Sequence, residues 1–233
     1  MKRWPVLHRC WILQPGRMPF EDSLALQRSV FTARRAGLIG HVFMLLEHPP
    51  TFTIGRRHQA RRHLLVDENE LKQRAIQVHE IDRGGDITYH GPGQLVGYPI
   101  FDLTEWYQDV YRYLRDLEEV LICVVADFGL EAKRIDGLTG VWVQDEKIAA
   151  LGVKVSWWVT MHGFSLNVNP DLRMYHHIIP CGIFEKSVTS LSNMMNKEID
   201  MGEVSKLLIK HMARVFEIEF EEITLPHLMK RIL

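Results

Sequence analysis

The sequence predicts an α+β chain built on a mixed, mainly antiparallel sheet with flanking helices. Three observations predict it. β-Branched and aromatic runs gather into short extended pieces, two long stretches carry helical periodicity, and the two kinds of segment mix without the strand-helix-strand rhythm of a parallel sheet. The elements follow in order. Cys10 falls in a first strand. Phe20 to Arg35 reads as a helix, since Leu24, Ala25, Arg28 and Phe31 are spaced by three or four and Gly37 stands just past its end. Residues 41–47 (HVFMLLE) and Thr51 to Ile54 read as strands on either side of the Pro49-Pro50 break. Asp67 with Glu70 forms a capping box that opens a short helix to about Ala75, and a strand follows at 78–82. The longest helix is predicted from Glu105 to Phe128, with Thr104 as N-cap, Val110, Leu114, Leu117, Leu121 and Val124 on one face, and Gly129 after its end. Extended pieces at 139–144, 147–156 and 162–168 precede a helix from Glu203 to Phe216. There Asp200 and Glu203 form the capping box, and Val204, Leu207, Leu208, His211, Met212 and Val215 form the apolar stripe.

Composition narrows the class. The 233 residues carry 28 Lys and Arg against 29 Asp and Glu and are 46% hydrophobic, which excludes disordered and fibrous chains. No repeat or linker divides them, so residues 1–233 are expected to form a single domain burying roughly 70% of the surface its unfolded chain exposes. The longest apolar run, Val120 to Ala126, is far short of the roughly 20 residues that span a bilayer, so no membrane is expected as partner. The N-terminal MKRWPVLHRCW has neither the apolar core nor the cleavage site of a secretion signal, and the expected compartment is the cytoplasm. Cys10, Cys123 and Cys181 make an odd set without a C-x-x-C pair, which fits neither a disulfide framework nor a zinc knuckle. Residues 1–66 hold 11 Lys and Arg against 3 Asp and Glu, most visibly Arg56, Arg57, Arg61 and Arg62. This suits either an acidic docking partner or a solvated basic loop. Near-neutral charge and the lack of an aromatic-basic motif argue against nucleic acid.

Three segments carry chemistry. In RGGDITYHGPGQ (83–94), glycines that let backbone approach a ligand surround Arg83, Asp86, Tyr89 and His90; the spacing is not that of a phosphate loop. In GVWVQDEKIAALGVKV (140–155), Lys147 opens an apolar strand. A lysine among apolar neighbours loses solvation of its charged form and becomes a usable base, although Lys154 competes for the role and either lysine could be a solvated gatekeeper. In HHIIPCGI (176–183), Cys181 lies between Pro180 and Gly182, framed as Cys10 and Cys123 are not. His162 and Gly163 read as a pocket-edge pair at the start of a strand. The 12 histidines show no zinc-ligand spacing, so neither a metal nor any other cofactor is expected.

Taken together and in this order, RGGDITYHGPGQLVGYP, KIAALGVKV, HGFSLNVN and NP followed by IIPCGI resemble the lipoyl(octanoyl) transferase family, the octanoyl-acyl carrier protein:protein N-octanoyltransferases. The resemblance runs from HPPTFTIGRR at His48 to VTSL at Leu191. It implies the biotin/lipoate protein ligase-like fold and a cysteine-lysine dyad made of Cys181 and Lys147, which favours Lys147 over Lys154. It also implies an acyl-binding set formed by Arg83, Gly84, Gly85, Asp86, Ile87, Thr88, Tyr89 and His90, completed by Ala150, Leu151, Gly152, Gly163, Phe164 and Ser165, with His48 and Arg57 contributing at the mouth. The implied donor is octanoyl-acyl carrier protein. The implied acceptors are the lysines of apo lipoyl domains of 2-oxoacid dehydrogenase complexes and of the glycine cleavage H protein.

From the residue chemistry, a thiol with pKa about 8.5 needs a base or a nearby cation, which Lys147 would supply, and exchange of one thioester for another needs no ATP. Leu151, Val153, Ile87 and Phe164 suit an apolar tunnel, and backbone N–H groups near Gly152 or Gly163 suit an oxyanion. The rival readings are an ATP-dependent lipoate or biotin ligase on the same fold, an idle acyl-chain or carrier-binding module, and a thiol hydrolase.

Overall fold

The computed structural model describes residues 7–179 and 187–232. Strand β1 (His8–Arg17) leads into helix α1 (Phe20–Arg35) and strands β2 (His41–Glu47) and β3 (Thr51–Ile54). Helix α2 (Glu68–Gln73), β4 (Gln77–Glu80), β5 (Ile87–His90), β6 (Gln94–Ile100) and α3 (Val110–Asp127) follow. The hairpins β7 (Ala132–Ile135), β8 (Leu138–Val143), β9 (Glu146–Ser156) and β10 (Val159–Asn167) come next, then α4 (Leu191–Met195), α5 (Met201–Val215), β11 (Ile218–Glu222) and α6 (Leu225–Ile232).

Eight strands form one sheet in the order β11-β1-β2-β6-β10-β9-β8-β7, parallel from β11 to β2 and antiparallel beyond. A second, three-stranded sheet has the order β4-β3-β5. The α+β class and the mainly antiparallel sheet are those the sequence predicts. One face of the large sheet packs on α3 and α5 through Leu117, Leu121, Val124, Val204, Leu208 and Met212. Each such side chain, fully buried, stabilises the fold by about 1.5–3 kcal/mol. The other face packs on α1 and α6 through Leu26, Val30, Val42, Met44, Val96 and Leu228. The small sheet has its own core of Phe52, Ile87, Tyr89, Tyr175 and Ile178. Among the described residues, no helix is long and apolar enough to cross a membrane.

Two helix starts differ from the expectation. Residues 103–105 form a tight turn whose Thr104 N–H is capped by Asp102, and α3 begins only at Val110, where the Asp109 carboxylate accepts from the Arg112 N–H at 3.0 Å. Aspartate outcompetes Thr104 because its carboxylate accepts more strongly from the orphan amides of a first turn. Asp200 caps α5 through Gly202 N–H, one residue earlier than the expected box. Asp67 caps α2 as expected, accepting from Asn69 and Glu70.

Buried Glu118 on α3 links helix to sheet. It accepts from Arg115 and Arg134 and from the Gly140 N–H of β8 at 3.0 Å. Glu118→Ala is expected to destabilise the protein by about 3 kcal/mol, because it removes one partner from a buried ionic group and leaves that amide unpaired. A urea midpoint unchanged from wild type would contradict the assignment.

Candidate active site

The Arg-Gly-Gly loop between β4 and β5 is drawn onto the large sheet by backbone. Gly84 N–H donates to Val153 O of β9 at 2.9 Å, and Arg56 and Arg57 N–H groups donate to Arg83 O and Gly85 O. Arg83 is itself buried and cross-links the assembly, its guanidinium donating to Thr53 O (2.7 Å), Thr53 Oγ1 (3.0 Å) and Gly84 O. Between this loop, β5, the β6-β10-β9 face and the start of α1 lies a cavity of about 220 Å³. That is below the roughly 300–1,000 Å³ of pockets for drug-sized ligands and suits a slim one.

The cavity wall includes Arg83, Gly85, Asp86, Ile87, Thr88 and His90 of the loop segment. It also includes Lys147, Ala150, Leu151 and Gly152 of β9 and Gly163, Phe164 and Ser165 of β10, so segments far apart in sequence meet. Gly84 and Tyr89 are not part of it. Gly84 serves as the stitch to β9, and the Tyr89 ring packs against Phe52 and Tyr175 in the small-sheet core. Cys181 lies outside the described residues. Arg57 lines the cavity, whereas His48 sits wholly buried behind it. Of the apolar liners expected, Ile87, Leu151 and Phe164 are in the wall and Val153 is not; Ile87 and Phe164 also belong to the two cores, Phe164 packing over Gly97 and beside Phe43.

Lys147 is 6% exposed. Its Nζ donates to Thr139 O at 3.2 Å and stands 4.7 Å from the centre of the Trp142 ring, the geometry of a cation–π contact when the amine is protonated. Gly140, at φ +137°, makes the room: a Cβ there would lie 3.0 Å from the lysine Cε. Ser187 O accepts from Lys147 N–H, and Thr189 N–H donates to Lys147 O, so the chain following position 186 is held along the lysine. Lys154 is engaged elsewhere, 2.6 Å from Asp82 Oδ2. Gly152 faces Gly163 across the β9-β10 ladder, five residues from Lys147, about 17 Å along a strand.

Several histidines here are held neutral. His48 Nδ1–H donates to Met18 O (2.7 Å), so its Nε2 accepts from Tyr98 OH (2.8 Å); burial lowers its pKa to about 4. His90 lies within reach of Gln94 Oε1 at 2.7 Å through Nδ1 and of Thr53 Oγ1 through Nε2, and burial takes it to about 3. His162 sits within β10 rather than at its start. It is buried, lowered by desolvation, and bonded through Nε2 to Asp82 at 2.8 Å. In Asp82, desolvation raises the pKa but the hydrogen bonds from Lys154 and His162 outweigh it, leaving it at about 2. An unfolded histidine titrates near 6.5, so the unfolded chain takes up more protons than the folded one between that pH and the folded values. Stability is full above about pH 6.5 and falls as pH drops towards 4 and 3, by up to about 1.4 kcal/mol per pH unit for each such group. Urea unfolding at pH 7.5 and 5.0 is expected to show a lower midpoint at 5.0; equal midpoints would contradict buried neutral histidines.

His8, His41 and Glu105 converge at the opposite end of β2. His41 Nδ1 faces the Arg34 Nε–H and Asp102 N–H donors at 3.4 Å, so it accepts, and Nε2 carries the proton towards Glu105 Oε2 at 3.1 Å. That tautomer leaves no lone pair for a cation, and the residues do not fit a metal.

Sequence reading missed Phe20, Ile81, Val96, Tyr98, Asn167, Tyr175 and the Gly137–Thr139 edge, all part of the wall. No local signal marks them, because topology alone brings them there.

Comparison with known proteins fits this arrangement. Residues 19–213 match the lipoyl protein ligase A/B catalytic domain. An octanoyltransferase of Cytophaga hutchinsonii is 49% identical over 191 residues, covering 79% of this chain and 78% of its own length. One of Solibacter usitatus is 43% identical over 213 residues, covering 91% and 96%. The crystal structure of lipoate-protein ligase A bound with ATP superposes with a TM-score of 0.80 at 18% identity, over 97% of this chain and 92% of that one. The fold is thus that of the lipoate-protein ligases. Within it, this chain belongs to the lipoyl protein ligase A/B catalytic domain family, on the octanoyltransferase branch, and is an acyltransferase.

Proposed function

We propose that the protein moves an octanoyl group from acyl carrier protein to the lysine of an apo lipoyl domain, in two steps through a thioester on Cys181. The observation that carries the reading is Lys147, buried at one end of a slim cavity, with the chain that follows position 186 running along it. The Cys181 thiol gives its proton to the Lys147 amine, and the thiolate attacks the donor thioester carbonyl; the carbonyl carbon's bond to the carrier sulfur breaks, and that sulfur takes the proton back from Lys147 and leaves as the carrier's phosphopantetheine thiol, with Lys147 neutral again. The neutral ε-amine of the acceptor lysine then attacks the acyl-cysteine. An amide forms, the cysteine sulfur leaves, and Lys147 takes up the amine proton in its neutral form. One thioester replaces another in the first step, so no nucleotide is consumed.

Acceptors of this chemistry are the lipoyl domains of 2-oxoacid dehydrogenase complexes and the glycine cleavage H protein. Arg57 at the cavity edge and the neighbouring Arg56, Arg61 and Arg62 suit acidic partners, and such docking weakens as salt rises. Incubation with octanoyl-acyl carrier protein and apo lipoyl domain, without ATP, is expected to add one octanoyl group to the acceptor. Modification only with free octanoate and ATP would turn the reading to a ligase, and release of free octanoate as the main product would turn it to a hydrolase.

A further inference from the structure

Lys147 marks one end of the cavity, and Phe20 lies at the other. Along β9, Lys147 is seven residues from Lys154, which pairs with Met161, and Met161 belongs to the same buried cluster as Phe20. Phe20 is the first residue of α1, is 1% exposed, and is the one residue of that helix in the cavity wall. Its ring is fixed on three sides, with ring centres 5.2 Å from His48, 5.1 Å from His79 and 6.1 Å from His90, nearly parallel to the last. Ile81, of the same cluster, is also in the wall, while the other two members, Leu24 and Met161, do not reach the cavity.

We infer that Phe20, with Ile81, is the stop that sets how long an acyl chain this enzyme accepts. The inference rests on the acyl-transfer reading above and adds its chain-length rule. A chain attached near Lys147 grows towards Phe20, and a terminal methyl that reaches the ring meets a side chain with no free direction in which to move. Leu24 and Met161 lie on the side of the ring away from the cavity, so space opened towards them suits methylene groups, each further buried methylene being worth about four-fold in binding.

The test compares octanoyl, dodecanoyl and hexanoyl carriers as donors, reading the acyl mass on the acceptor lipoyl domain. Phe20→Ala is expected to raise the dodecanoyl-to-octanoyl rate ratio at least ten-fold, and the milder Phe20→Leu to raise it about three-fold. Ile81→Phe is expected to move the preference the other way, towards hexanoyl. Opposite shifts from two variants distinguish a moved stop from a loosened fold, which lowers all chains alike. Variants that transfer octanoyl with unchanged ratios would overturn the stop while leaving the acyl-transfer reading intact. A wild-type protein that transfers no chain of any length would overturn both.

Discussion

Lys147→Met is expected to lower the rate of octanoyl transfer by about 10²–10⁴-fold, the range a positioned general base contributes. The variant should fold. Methionine keeps an unbranched side chain of similar length, and what is lost is the Nζ that donates to Thr139 O and stands over the Trp142 ring. Lys154→Met is the matched control: it breaks the Asp82 contact but removes nothing from the proposed Cys181–Lys147 pair, and its rate is expected to stay within a few-fold of wild type. Single-turnover acylation rates for the two variants check this. Equal losses in both would mean that Lys147 acts through charge or packing rather than as a base.

Gly163→Ala is expected to destabilise the protein by about 3 kcal/mol or more, the upper end of overpacking. A Cβ at Gly163 would lie 2.1 Å from Gly97 O on the adjacent strand and 2.8 Å from the Pro99 ring, so β6 and β10 would have to separate. Backbone cannot rotate away as a side chain can. Gly97→Ala offers the contrast, since its Cβ meets the Phe164 ring at 2.3 Å and part of that clash can be relieved by a χ change. Thermal melts should therefore rank Gly163→Ala below Gly97→Ala; the reverse order would contradict the strand separation.

Much of this architecture was readable residue by residue, and what escaped did so for physical reasons. α1 has its expected bounds because its periodicity and the glycine beyond it agree. β2 and β3 flank the Pro49-Pro50 break as read. β6 was not read as a strand at all, since Gly97 and Pro99 argue against a central strand, yet it lies between β2 and β10. There Gly97 admits the Phe164 ring, and Pro99 still offers its carbonyl, which accepts from Thr160 Oγ1. β7 and β11 were missed as short strands at the two edges of the large sheet, whose pairing is decided in three dimensions, and α6 as a single short helix laid on the α1 face. The same split runs through the site. Lys147 and the Arg83 to His90 loop are local signals dense in glycine and charge, whereas the closed end at Phe20, Ile81 and Tyr98 is assembled from single residues of unrelated elements.

The measurement that tests the central claim most directly is the intact mass of the enzyme after mixing with octanoyl-acyl carrier protein alone, with peptide mapping of the adduct, followed by addition of apo lipoyl domain. The account predicts one octanoyl increment on Cys181 that disappears as the acceptor gains it, and no increment in Cys181→Ser. Acceptor modification at the wild-type rate by Cys181→Ser, with no enzyme adduct at any time, would contradict it.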